Sequence, residues 1–335
     1  MKFVVLGIIL LLAVIIVGGL LFIFYSPWPA VWLIRSRKDG PLSVPEDFEA
    51  QTKGVAVKKD LSYPSSLGKN RFDLYLPPKA MTDHPPGAPL IVWVHGGAFV
   101  AGDKEGISGL AALLASRGYA VAAMNYQWAP QAPWPSQTIQ VYECLKALEK
   151  LSEQGEPLDM GRFFLAGDSA GAHIAVQAAT AWFNEDFAAV ADIHVDLDKS
   201  RAGLKGLLLY CGPYELEAFS HIENRTLRYL MNKVGQSFVG TYHWKNSEKI
   251  KYLNVIPWMT AKCPPVYITD GNHGSFEKQG KNLAQALEKL KVPVTRRFFA
   301  PEEGVVGHGY EAELRSAAGL QCFSDTEAFL KKYKN

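Results

Sequence analysis

The sequence is short of several things at once. It has four cysteines in 335 residues and no C-x-x-C pair, so neither a disulfide framework nor a thiolate zinc cluster is written into it. There is no G-x-x-x-x-G-K phosphate loop, no G-x-G-x-x-G dinucleotide turn and no paired Cys/His ligand spacing. No metal and no cofactor is expected. Charge of one sign is also scarce: 35 basic against 33 acidic residues leave +2, with no concentrated basic face for a nucleic acid. Repeats and low-complexity tracts are missing, which excludes collagen-like, coiled-coil and disordered chains.

The little imbalance there is sits at the front. Residues 1–40 carry Lys2, Arg35, Arg37 and Lys38 against Asp39, a surplus of three, and the remainder sums to −1. Between these charges, Phe3 to Tyr25 is an uncharged run of 23 residues. As a helix rising about 1.5 Å per residue it spans roughly 35 Å, enough for a hydrocarbon core of about 30 Å. It is longer than a signal-peptide core, and it runs into Ser26-Pro27-Trp28-Pro29-Ala30 without an A-x-A cleavage site. Residues 1–40 are therefore expected to be a single-pass membrane anchor and its linker, with the bilayer as partner through residues 3–25. A cleaved signal and a buried core helix are the competing readings. Trp28 and Trp32 suit an interfacial position, or a linker packed on the following domain. Lys2 beside the span favours an extracytoplasmic catalytic domain, and Arg35, Arg37 and Lys38 pull the other way. Cys144, Cys211, Cys263 and Cys322 read as four separate buried thiols. Asn224-Arg225-Thr226 is the one N-x-[ST] sequon beyond the anchor.

Residues 41–335 alternate short apolar runs with longer amphipathic stretches, the pattern of a mostly parallel sheet flanked by helices. Strands are expected at 71–76, 90–95, 119–125, 162–166, 204–210, 266–269 and 294–299. Helices are expected at 106–117, 135–152, 170–183, 277–291 and 325–332. Two insertions interrupt the rhythm. One, Asn184–Arg201, is acidic and holds Asp192, Asp196 and Asp198. The other, about 213–260, carries Tyr229, Tyr242, Trp244 and Trp258 and reads as a small cap whose aromatics wall an apolar pocket.

Four motifs carry chemistry. Gly167-Asp168-Ser169-Ala170-Gly171 is a G-x-S-x-G that follows the strand Phe163–Ala166 and opens a helix, the context of a nucleophile elbow. Ser169 would stand exposed at the helix N-terminus, where the dipole favours negative charge. His95-Gly96-Gly97-Ala98-Phe99 follows another strand. Its glycine pair lets the backbone approach and aim N–H groups at an oxyanion. Gly96 and Gly97, with Ala170 after the nucleophile, are the expected donors, and His95 is expected to brace the loop. Gly307-His308-Gly309-Tyr310 lies after the last strand, where a general base belongs, and His308 is preferred to His273. Asp168 reads as a structural hydrogen-bonding residue, and His173 points away from the reacting centre.

Together with Asn125-Tyr126-Gln127-Trp128-Ala129-Pro130, these motifs resemble the hormone-sensitive-lipase-like branch of α/β-hydrolase esterases over about residues 70–330. The resemblance implies an α/β-hydrolase fold and a serine carboxylesterase or lipase-like enzyme that forms an acyl-enzyme on short-chain or aryl esters. It implies Ser169 as nucleophile, His308 as base and the oxyanion donors already named. Deacetylase or amidase activity lies within the same machinery. The chain departs from the pattern at the acid: Gly271-Asn272-His273-Gly274 has glycine where G-x-x-D has its carboxylate. Asp270 is the nearest replacement, with Glu277, Glu302 and Glu303 as alternatives. That departure also motivates a competing reading, a catalytically weakened hydrolase fold used as a ligand receptor or scaffold.

Overall fold

The computed structural model describes residues 2–37, 43–81, 87–195, 197 and 203–335. Lys38 and Asp39 of the expected linker, and Asp196 and Asp198 of the first insertion, lie outside the described residues. The apolar runs build one eight-stranded sheet. Its strands are β1 Ala56–Ser62, β2 Arg71–Leu76, β3 Ala88–Val94, β4 Ala120–Met124, β5 Leu158–Asp168, β6 Leu204–Tyr210, β7 Val266–Asp270 and β8 Val294–Phe298. The spatial order is β1-β2-β4-β3-β5-β6-β7-β8. Strands from β4 to β8 run parallel, and β1 and β2 form an antiparallel edge.

Three helices precede the sheet and the rest are interleaved with its strands or follow them: α1 Lys2–Tyr25, α2 Trp28–Arg35, α3 Phe48–Gln51, α4 Ser108–Ser116, α5 Ser136–Glu153, α6 Ala170–Phe183, α7 Glu185–Val190, α8 Arg225–Val239, α9 Ile250–Leu253, α10 Glu277–Lys289 and α11 Ala317–Tyr333. The strands divide them into two layers. Leu90, Val92 and Val94 of β3 point into a core shared with α5, α6 and α10, while Ile91 and Trp93 point into one shared with α4 and α11. All seven residues of β3 are buried, which is why a strand covered on both faces reads as an unbroken apolar run. Because β3, β5, β7 and β8 are parallel, the loops after them open at one edge of the sheet, where such folds place their ligand crevice.

One strand was not expected. β1 is almost wholly exposed and includes Lys58, Lys59 and Asp60, so it carries no alternation to read. Its edge is tied inward by a buried cation. Lys104 Nζ lies 3.1 Å from Asp60 and 3.0 Å from Asp73, whose side chain is fully buried. Burial acts to lower the Lys104 pKa, but the hydrogen bonds its ammonium donates to both carboxylates prevail and raise it.

The four cysteines are free and buried, as four separate thiols should be. α1 is apolar along its length, with a mean hydropathy of 3.2, and its side chains from Phe3 to Tyr25 are exposed. Its last turn is held by α8: Tyr229 Oη donates to Ile23 O at 3.0 Å, Lys233 Nζ to Phe24 O, and Gln236 Nε2 to Tyr25 O at 2.7 Å. These residues recur at helical spacing on one face of α8, and they satisfy carbonyls that a helix end leaves unpaired. The ammonium of Lys233 also meets the negative end of the α1 dipole. Trp28 packs against the core, whereas Trp32 stays exposed beside Phe22, with ring centroids 5.9 Å apart.

Candidate active site

The elbow is built from crowding. Ser169 has φ 51° and ψ −120°, a strained conformation for a non-glycine residue, and its N–H is held by Tyr210 O at 2.7 Å. A Cβ on Gly171 would stand 1.9 Å from Val94 O, so only glycine lets α6 start this close to β3. The turn leaves Ser169 half-buried at the head of α6, with the Ala170 N–H beside it.

The loop after β3 lies against this turn. Asp168 Oδ1 accepts from Trp93 Nε1 and its Oδ2 accepts from Gly96 N–H, both at 2.9 Å. This corrects the expectation for Gly96. Its N–H is already committed to a carboxylate. The N–H groups of Gly97, Ala98 and Ala170 have no acceptor among the described residues. Of the three expected donors, Gly97 and Ala170 keep their N–H groups open, as does Ala98 next to them. His95 is buried, stacks on Tyr126 with centroids 4.4 Å apart, and is held neutral by desolvation, its pKa lowered to about 4. His173 Nδ1 bonds Pro213 O at 2.7 Å, and its ring meets the edges of Phe99 and Phe238.

His308 stands over Ser169. Its Nε2 is 2.9 Å from Ser169 Oγ, while its Nδ1 is 2.7 Å from Ser275 Oγ. Ser275 Oγ in turn donates to Asp270 Oδ1. Asp270 thus reaches the imidazole through a hydroxyl and makes no hydrogen bond to it, which was not foreseen. The ring is solvent-accessible, yet surrounding protein desolvates it and lowers its pKa, leaving it neutral at pH 7. Phe276 closes one side edge-on, 5.5 Å from the His308 centroid. The alternative residues stand elsewhere. His273 is exposed, Glu277 pairs with Lys281 at 2.7 Å, Glu303 caps Ala300 N–H at 2.7 Å, and Glu302 is exposed.

Asp270 is 1% exposed, and burial pushes its pKa up to about 7. Glu311, also buried, accepts from Cys211 Sγ at 3.3 Å and is pushed up to about 8 by burial and by Asp168. Neither carboxyl has a cation beside it among the described residues. Gly96, Gly97, Asp168 and Glu311 line a cavity of about 300 Å³. A larger one of about 620 Å³, between β1, β2 and α5, contains none of the site residues.

The second insertion folds into α8, α9 and short turns, with Phe238 of α8 stacked on Phe99, ring centroids 3.8 Å apart. Its aromatics divide. Trp244 is buried and Trp258 packs on Phe187, but Tyr229 and Tyr242 meet the end of α1 and line a cavity of about 330 Å³ with Phe24. Arg35 of α2 reaches the loop from the other side. Its Nε donates to Val100 O at 2.7 Å and its Nη2 to Ala129 O at 3.1 Å.

A sheet of this order with a strained serine turn at the end of β5 defines an α/β-hydrolase. The sequence model of the BD-FAE family matches residues 72–287. An acetyl-hydrolase of Streptomyces hygroscopicus is 38% identical over 246 residues, covering 72% of this chain and 75% of that protein. The chain belongs to the BD-FAE family. A probable carboxylesterase 6 of Arabidopsis thaliana is 31% identical over 159 residues, 42% of this chain and 47% of that one. The match thus spans about half the length of the plant relative. Among solved structures, esterase B of Lactobacillus rhamnosis superposes with a TM-score of 0.70 at 20% identity, covering 85% of this chain and 91% of that one.

Proposed function

We propose that the protein hydrolyses carboxylic esters through a serine acyl-enzyme. The observation that carries this is the 2.9 Å contact between Ser169 Oγ and His308 Nε2 on a strained elbow with open N–H groups beside it. Ser169 Oγ attacks the ester carbonyl and its proton passes to Nε2 of neutral His308. The carbonyl oxygen, now negative, is met by the N–H groups of Gly97, Ala98 and Ala170, which need no reorganisation. The tetrahedral adduct collapses as His308 returns the proton to the leaving alkoxide. Water, deprotonated by the same nitrogen, then releases the acid. Asp270 is the carboxylate that supports the imidazolium.

Short-chain or aryl esters are the proposed substrates, and the names of the Streptomyces and plant relatives support this class. Amide substrates use the same steps. α1 serves as a single-pass anchor with the catalytic domain on the extracytoplasmic side, supported by its length and hydropathy and by Lys2 beside the span. The test is a fluorophosphonate applied to the detergent-solubilised chain with p-nitrophenyl acetate turnover read in parallel. Stoichiometric labelling and turnover, both abolished in Ser169→Ala, are expected. Turnover that survives the substitution overturns the serine assignment. Ester-dependent thermal stabilisation without turnover would instead favour the receptor reading.

A further inference from the structure

We propose that Ser275 is a positioning residue that bridges Asp270 to His308, so that the catalytic relay has four members, Ser169, His308, Ser275 and Asp270. The inference rests on the serine-hydrolase reading and extends it to the acid end, where the chain departs from the pattern it resembles.

Three observations carry it. First, the hydrogen bonds form an unbroken path: Ser169 Oγ to His308 Nε2 at 2.9 Å, His308 Nδ1 to Ser275 Oγ at 2.7 Å, and Ser275 Oγ to Asp270 Oδ1. An oxygen of Asp270 and a ring nitrogen of His308 lie within 4.8 Å of one another, so one hydroxyl fills the gap. Second, the loop is shaped for that hydroxyl. Gly274, at the position where the carboxylate is missing, has φ +63° and open space around it. An aspartate there would be strained in the left-handed region, whereas the glycine turn delivers the next side chain, Ser275, to Nδ1. Third, Asp270 is costly to bury. It is buried, its Oδ2 has no hydrogen-bond partner, and the groups facing it are Cys211, Tyr214, Glu277 and Glu311, none of them cationic. A carboxyl kept in such a place at the end of a relay has a use that packing does not supply.

The Cys211, Asp270 and His308 cluster is also compact enough to hold a metal ion. Its donors are already committed: both His308 nitrogens are bonded to serine hydroxyls, and burial among acids raises the Cys211 pKa and keeps it a thiol.

The step balances without an outside reactant. As Ser169 Oγ bonds the carbonyl carbon, the carbonyl π pair moves to oxygen and the hydroxyl proton moves to His308 Nε2. The Nδ1 proton stays on nitrogen and donates to Ser275 Oγ. Ser275 donates its own proton to ionised Asp270, so negative charge is felt at the imidazolium through one polarised hydroxyl. The bridge also locks the tautomer that leaves Nε2 free to accept.

Kinetics and pH profiles of Ser275→Ala, Ser275→Thr, Asp270→Asn and the Ser275→Ala/Asp270→Asn pair test this, with circular dichroism and thermal melting to verify folding. Ser275→Ala is expected to lose about 10²-fold or more in kcat with KM nearly unchanged, and Ser275→Thr to keep most activity. The double variant should be no worse than the poorer single, since both cut one path. The wild-type acid limb, set by ionisation of Asp270, should move down to that of His308 itself in Asp270→Asn and in Ser275→Ala alike. A folded Ser275→Ala within threefold of wild type, with its acid limb in place, overturns the bridge. Losses that multiply in the double variant overturn it too. Neither result touches the nucleophile, which Ser169→Ala tests separately.

Discussion

Asp168 Oδ2 accepts the Gly96 N–H at 2.9 Å, joining the nucleophile turn to the oxyanion loop by a charge-assisted bond. The residue before the proposed nucleophile thus sets the position of the loop proposed to receive the developing charge. Its other oxygen holds the Trp93 indole, so both lone-pair faces are in use. Asp168→Asn cannot accept from both donors: its NH₂ would oppose either Trp93 Nε1 or Gly96 N–H. The expected result is a kcat lower by roughly 10–100-fold with a smaller change in KM, because the donors to the transition state are displaced. Steady-state kinetics on p-nitrophenyl acetate would reveal it, and an unchanged kcat would show that Gly96 needs no such anchor.

Lys104 is the second target. Removing its ammonium leaves Asp73 charged and buried against Asp60 at the β1–β2 edge. Breaking a buried pair by deleting one partner costs about 3–5 kcal/mol. Lys104→Ala is expected to lose stability of that order in urea unfolding of the solubilised chain. A change under 1 kcal/mol would mean that water already reaches the pair.

Glu311 gives a pH test with a defined sign. Its folded pKa is raised toward about 8, so the fold prefers the protonated form. The penalty is absent below the ordinary carboxyl range, grows as the pH climbs through 5 to 8, and is complete above 8. Glu311→Gln should therefore leave the melting temperature almost unchanged at pH 5 and raise it at pH 8.5. Equal shifts at both pH values would contradict the assignment.

Arg35 connects α2 to the loops after β3 and β4 through Val100 O and Ala129 O. Ala129 N–H is itself bonded to Phe99 O at 3.0 Å. Arg35→Ala is expected to lower kcat/KM about tenfold by loosening those loops, since small misplacements are expensive in a preorganised site. Arg35→Lys should not restore it, because a single ammonium cannot span both carbonyls. Wild-type kinetics in either variant would show that the loops stand without the helix.

The legible parts of this molecule are those where chemistry leaves a pattern along the chain. β3 and β4 announced themselves as continuous apolar runs, and the serine turn by glycines whose absence of Cβ is measurable at Gly171. β1 did not, because an exposed edge strand carrying Lys58, Lys59 and Asp60 has no hydrophobic period. β5 begins at Leu158, four residues before the expected start, where pairing with β3 shifts register between Pro89 and Leu90. The glycine pair at 96–97 marked a donor loop, but which N–H was free depended on the carboxylate of Asp168 folding back onto it. Ser275 was invisible for another reason: one serine in a glycine-rich loop looks like a turn residue until the imidazole is brought to it. The signal that could have found it was its place, directly after the glycine that replaces the acid.

The grip of α8 on the end of α1 has a further consequence. A helix followed by a slack linker would let its domain swing like a buoy on a chain, meeting solutes from every side. Here Tyr229, Lys233 and Gln236 clasp the last carbonyls of α1, and the same helix lays Phe238 on Phe99 beside the oxyanion loop. With α1 as the proposed anchor, such a chain would behave as a mast with a fixed lamp: height and heading of the proposed active site would be decided together. Diffusion in the plane, not tumbling above it, would then determine which esters Ser169 meets.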